Sequence, residues 1–138
     1  MKKIILALAA ICLLSACGKA EPANPQTVSF TLESNPTTGF SWQVEQSDEL
    51  FDVNIEYVPD ETDELIDGAG GIDNITLTPI KAGKTEVSLT YARPWEGGER
   101  GDQLVYTFEV DRNLQVKMVD AYGTSTDEPI TTPVPEIK

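Results

Sequence analysis

From Val28 to Met118 the apolar residues recur at every second position, and this period limits what the chain can fold into. Val28, Phe30 and Leu32 alternate with Ser29, Thr31 and Glu33; Phe40, Trp42 and Val44 alternate with Ser41, Gln43 and Glu45. The same pattern runs through Phe51–Tyr57, Ile75–Leu77, Val87–Tyr91, Leu104–Val110 and Leu114–Met118. Side chains of a strand point to opposite faces in turn, so each run has one buried and one wet face. No window carries the 3.6-residue period of an amphipathic helix. Seven short strands separated by turn residues predict an all-β chain, an antiparallel β-sandwich of about seven to eight strands.

The connections fall into two kinds. Gln46–Leu50, Lys81–Lys84 and Asp111–Asn113 are plain turns, whereas Asn35–Gly39, Pro59–Gly71 and Ala92–Gln103 have unusual composition. Plain and unusual connections alternate along the chain. If every strand reverses direction, the three unusual loops share one end of the sandwich, as antibody binding loops do.

The first of these reads Asn35-Pro36-Thr37-Thr38-Gly39-Phe40. Pro36 fixes φ, Gly39 supplies a positive φ, and two β-branched threonines stiffen the tip. Either the tip meets a partner or it is a turn and nothing more. The second ends in Gly68-Ala69-Gly70-Gly71. A stretch without bulk can pair main chain to main chain with another protein, or it is simple loop flexibility. A phosphate cradle is excluded, because neither a following helix nor a lysine accompanies the glycines and the neighbours are acidic. The third carries Arg93-Pro94-Trp95, two residue types enriched at interface hot spots. Trp95 either stands in such an interface or folds back onto the core, whereas Trp42, in mid-strand, is expected in the core.

Composition removes other classes. The chain has 138 residues, no histidine and a net charge of −13, which becomes −15 if Lys2 and Lys3 leave with a leader. Nucleic acid is a poor partner for such a surface. The charge itself serves solubility beside an anionic membrane or attraction to a basic partner. Residues 1–17 read as an export signal: Lys2 and Lys3, an apolar run from Ile4 to Leu14, then small residues. Leu14-Ser15-Ala16-Cys17 resembles a bacterial lipoprotein box, which implies lipidation at Cys17, a periplasmic or outer-membrane location and contact with a membrane; an ordinary cleaved secretory peptide is the alternative. With Cys12 in the leader and Cys17 lipidated, no thiol is left for a disulfide, a metal site or a nucleophile. No cofactor or metal is expected, and without a catalytic constellation the chain does not read as an enzyme. Residues 18–26 are expected as a tether, 27–123 as the folded domain, and 124–138, with three prolines, as a disordered tail.

Taken together and in this order, NPTTGF, GAGG and RPW resemble the chagasin family of papain-type cysteine-protease inhibitors, across roughly Val28 to Val110. The resemblance implies an immunoglobulin-like fold and a monomer whose three loops enter a protease cleft. Thr37, Thr38 and Gly39 would then approach the catalytic thiol. Residues Gly68–Gly71 would lie on one side of the cleft, with Arg93 and Trp95 on the other. The competing reading is an envelope-anchored binding module of the same fold with no protease target.

Overall fold

The computed structural model describes residues 24–61, 70–95 and 97–138. In chain order the strands are β1 (Val28–Ser34), β2 (Ser41–Gln46), β3 (Phe51–Pro59), β4 (Gly71–Pro79), β5 (Gly83–Ala92), β6 (Arg100–Val110), β7 (Val116–Ser125), β8 (Glu128–Ile130) and β9 (Glu136–Ile137). They form two antiparallel sheets, ordered β3-β4-β1-β9 and β2-β5-β6-β7-β8. The fold is the all-β antiparallel sandwich that the alternation predicts, with the immunoglobulin-like architecture that the resemblance implies.

Its core lies between the inner faces. Val28, Phe30, Leu32, Ile75 and Leu77 come from one sheet, and Trp42, Val87, Leu89, Leu104, Tyr106 and Phe108 from the other. Phe30 meets Tyr106 at 4.8 Å between ring centroids, and Phe51 meets Phe108 edge-on at 5.7 Å. Such rings bury more apolar area than any aliphatic residue and hold the sheets in one register.

Two expectations are corrected. Residues 124–138 are not a disordered tail: β7 runs on to Ser125, Thr126 and Asp127 turn the chain with φ of 44° and 67°, and β8 pairs with β7. Two successive positive φ values match the twist of a tight hairpin. The chain then crosses to the other sheet, where β9 pairs with β1, Val28 opposite Ile137. Thr27 and Lys138 exchange backbone hydrogen bonds of 2.8 and 3.0 Å. The prolines fit because Pro129 lies on the outermost strand and Pro133 and Pro135 lie in the crossing, where no ladder asks for their missing N–H.

The second correction concerns β3. Its alternation predicts a buried face, yet Phe51 alone is buried, and Val53, Ile55 and Tyr57 are exposed. β3 is the edge of its sheet, and its inner face is left largely uncovered. The Gln46 amide bonds both the N–H and the C=O of Phe51, at 3.0 and 2.9 Å. The backbone of Phe51 therefore points away from β4. Antiparallel alternation turns the N–H groups of Val53, Ile55 and Tyr57 the same way and leaves Asp52, Asn54 and Glu56 to hold the ladder to β4. Ile55→Pro is thus expected to leave the melting temperature within a few degrees of wild type. Glu56→Pro removes a ladder bond and is expected to cost on the order of 1–3 kcal/mol. A thermal melt of each variant checks this; equal destabilisation would contradict the assignment.

Tyr106 is fully buried and its hydroxyl donates to the Pro133 carbonyl at 2.7 Å, tying the crossing segment to the core. Burial pushes its phenol up to about 12. An unfolded tyrosine ionises near 10, so between pH 10 and 12 the unfolded chain loses a proton that the folded chain keeps. The contribution of Tyr106 to stability is complete below pH 10 and falls as pH rises toward 12. Denaturation measured across this window is expected to show a steeper loss for wild type than for Tyr106→Phe.

Candidate functional site

The strand pairing brings the stems of the three unusual loops to one end. Ser34, the last residue of β1, pairs with Gly71, the first of β4, and Pro59 ends β3 opposite the same glycine. Ser41 at the start of β2 pairs with Ala92 at the end of β5, which pairs with Arg100 at the start of β6. The plain connections lie at the other end, where Ser47 N–H bonds the Glu86 carbonyl and Ile80 N–H bonds that of Leu50.

In the first loop Pro36–Thr38 form a single 3-10 turn closed by Gly39 in the left-handed region, φ 83°. Thr38 N–H bonds the Asn35 carbonyl at 3.1 Å, and Gly39 N–H bonds that of Pro36 at 3.0 Å. Both threonine hydroxyls are spent on the loop itself. Thr37 donates to the Asn35 side chain, and Thr38 donates to the Asn35 carbonyl at 2.6 Å. The two threonines therefore staple the tip internally while both residues stand exposed at its surface.

The third loop folds onto the first. Arg93 N–H bonds the Glu99 carbonyl at 2.9 Å and closes the loop at its base. Its Nε donates to the Thr38 carbonyl at 3.2 Å, and its guanidinium carbon lies 4.8 Å from the Phe40 ring and 5.8 Å from the Trp95 ring. Trp95 is 55 % exposed, so it stays outside the core. Its ring edge covers Gly39, where a Cβ would sit 2.7 Å from Trp95 Cη2. Thr38, Gly39, Phe40, Arg93 and Trp95 thus make one continuous edge. The Arg93–Glu99 ion pair, 3.6 Å and solvent-exposed, adds little.

Gly68 and Ala69 of the second loop lie outside the described residues, as does Cys17. Its stem is described: Asp60 N–H bonds the Gly70 carbonyl at 3.0 Å, and Gly70 lies against the Ser34 carbonyl of the first loop's stem. Gly71, expected in the loop surface, is instead the buried first residue of β4. A Cβ there would come within 2.4 Å of the Val58 carbonyl and 2.8 Å of the Tyr57 ring, so packing demands this glycine. Pro59 and Arg100–Gln103, also expected in loops, belong to strands.

Tyr91 is the residue that sequence reading missed. Its ring lies between Phe40, at 5.3 Å, and Trp42, at 5.1 Å, and its hydroxyl accepts the Asn35 N–H at 2.9 Å. It couples the core to the first loop. Its place at the end of the alternating row Val87, Leu89 and Tyr91, two residues before Arg93, was the signal. Among the described residues no group of side chains could hold a metal ion, and no helix is long and apolar enough to cross a membrane.

A stiff projecting edge of small residues, flanked by an arginine and a tryptophan, is equipped to bind and not to catalyse. Residues 23–110 match the model of the chagasin family of peptidase inhibitors, I42. Chagasin of Trypanosoma cruzi is 40 % identical over 78 residues, covering 52 % of this chain and 69 % of that protein. Amoebiasin-1 of Entamoeba histolytica is 37 % identical over 73 residues, covering 53 % and 71 %. Among solved structures, that of a cysteine protease inhibitor from Entamoeba histolytica aligns with a TM-score of 0.45 and 31 % identity, over 54 % of this chain and 68 % of that one.

Proposed function

Because the chain belongs to the chagasin family of peptidase inhibitors, we propose that it is a reversible, tight-binding inhibitor of papain-type cysteine proteases, acting as a monomer that inserts its loop end into the active-site cleft. The observation that carries the proposal is the join between the first and third loops, Arg93 Nε on the Thr38 carbonyl with Trp95 over Gly39. Two segments 55 positions apart become one rigid edge. Rigidity before binding lowers the ordering cost of association. A tip held by its own hydrogen bonds can occlude the thiol without presenting a carbonyl in attack geometry, which requires about 3–3.5 Å and alignment. Such a loop blocks the enzyme without being cleaved.

In this reading Thr37, Thr38 and Gly39 face the catalytic thiol, Gly68–Gly70 lie along one wall of the cleft, and Arg93, Pro94 and Trp95 lie along the other. Titration of active papain with the purified chain tests it. Stoichiometric loss of activity is expected; full activity across several papain-type enzymes at excess chain would favour the envelope-anchored binding module instead. Trp95→Ala is expected to weaken inhibition by about 2 kcal/mol, roughly thirtyfold. The exposure of Trp95 predicts no accompanying fall in melting temperature. The leader is assigned here as a lipoprotein signal that places acyl chains on Cys17 and holds the inhibitor in a bacterial envelope. Mass spectrometry of the chain from membrane fractions should find the acylated form, and an unmodified, freely soluble product would remove the anchor from the reading.

A further inference from the structure

At the loop end the two sheets do not close on each other. A cavity of about 710 Å³ opens there, with Leu32, Trp42 and Leu104 among the residues of its apolar lining. It shares Asn35, Gly70 and Gly71 with the loop stems, but Thr37, Thr38, Arg93 and Trp95 are not part of it. This space lies behind the projecting edge and is distinct from it.

Two observations concern its chemistry. Ser34 continues the inward row Val28, Phe30 and Leu32 of β1 and lines the cavity. It is 4 % exposed, and its buried hydroxyl has no hydrogen-bond partner. Native proteins rarely leave a buried polar atom in this state, because it has lost water and gained nothing. The lining also carries three acidic residues, Glu33, Asp60 and Asp102, and neither lysine nor arginine. None of the three is in an ion pair among the described residues. Gly70 stands between the Ser34 backbone and Asp60: the point where its Cβ would stand is 3.5 Å from the Ser34 carbonyl oxygen and 3.8 Å from Asp60 Oδ2. The bare glycine leaves that spot open.

We propose that this cavity is a binding site for a protonated alkylamine or guanidinium group. The cationic head donates hydrogen bonds to the Asp60 carboxylate and, with the Ser34 side chain turned toward it, to Ser34 Oγ, while Asp102 adds negative potential at the mouth. The alkyl stem lies on Leu32 and the Trp42 ring. A buried acceptor, an acidic mouth without counter-ions and an apolar wall together select a cation over a neutral or anionic ligand of the same length. The group can come from a free amine or from a basic side chain of a docked protein. The site needs no protease, so its test is independent of the proposed inhibition.

The test is an NMR titration of the isotope-labelled chain with n-butylammonium, with N-acetyl-lysine methylamide, and with 1-butanol and butyrate as isosteric controls. Saturable shifts are expected at the amides of Ser34, Gly71 and Tyr91 with butylammonium, at least tenfold weaker binding of butanol, and none of butyrate. Binding of the lysine derivative as well points to a protein-borne side chain; binding of butylammonium alone points to a free amine. Ser34→Ala removes the orphaned hydroxyl with little change of volume and is expected to fold at least as stably while binding at least tenfold more weakly. Asp60→Asn, at an exposed position, is expected to do the same to binding. The proposal is overturned if no ammonium gives saturable shifts, if butanol binds equally well, or if folded Asp60→Asn binds as wild type does.

Discussion

Gly39→Val is expected to weaken inhibition of papain by more than about a hundredfold, equivalent to roughly 3 kcal/mol, while the melting temperature falls by only a few degrees. Two separate costs act at this position. The residue has φ 83°, and a β-branched side chain in the left-handed region is disfavoured by about 1–2 kcal/mol. Independently, the new Cβ would lie 2.7 Å from Trp95 Cη2, closer than unbonded carbons approach. Because that atom is the far end of a half-exposed ring, the ring moves and the backbone does not. Trp95 then leaves the first loop, and the edge that Arg93 and Trp95 build with Thr38 comes apart. Little of the core is touched, since no residue of the 3-10 turn is buried. The two costs can be separated. Gly39→Ala keeps the clash with less backbone strain, and in a Trp95→Ala background its effect on the inhibition constant should shrink to the backbone part alone. If Gly39→Val inhibits as wild type does, the contact between the two loops has no bearing on inhibition.

The parts of this site that could be read in the sequence are those governed by local rules. Alternation in Val28–Leu32 or Val87–Leu89 assigns a face to each side chain because the period of a strand is two. Counting reversals then places Asn35–Gly39 and Arg93–Trp95 at one end. Alternation does not say whether anything stands opposite the apolar face. This is why Val53, Ile55 and Tyr57 were expected to be covered and are not. Proline content misled at 129–135, since a missing N–H excludes a central strand but not an outer strand or a crossing segment. Gly71 shares its composition signal with Gly70, yet one is buried under Tyr57 and the other lies beside the Ser34 carbonyl and Asp60. The bond from Arg93 to Thr38 spans 55 positions and has no local signature at all.

Trp42→Ala is expected to give the largest loss of stability of any single change near the site, about 3–5 kcal/mol. That is a large share of the 5–15 kcal/mol typical of a whole domain, and it corresponds to a drop of roughly 10–25 °C in melting temperature. Trp42 is 8 % exposed, and its indole N–H donates to the Glu33 carbonyl at 3.0 Å, joining β2 of one sheet to β1 of the other. Truncation leaves that carbonyl without the bond and enlarges the cavity that the indole lines. It also strips Tyr91 of the ring tilted against it at 5.1 Å, and Tyr91 in turn supplies the hydroxyl that holds Asn35 N–H. Stability and loop geometry are therefore expected to fail together, with weaker inhibition even below the melting temperature. Trp42→Phe separates the parts: it keeps a ring against Tyr91 and loses the inter-sheet bond, at a cost of about 1–3 kcal/mol. Should Trp42→Ala lose stability while the folded protein inhibits at full strength, the chain of contacts from Trp42 through Tyr91 to Asn35 would be a feature of the core alone, and the first loop would owe its shape to its own hydrogen bonds.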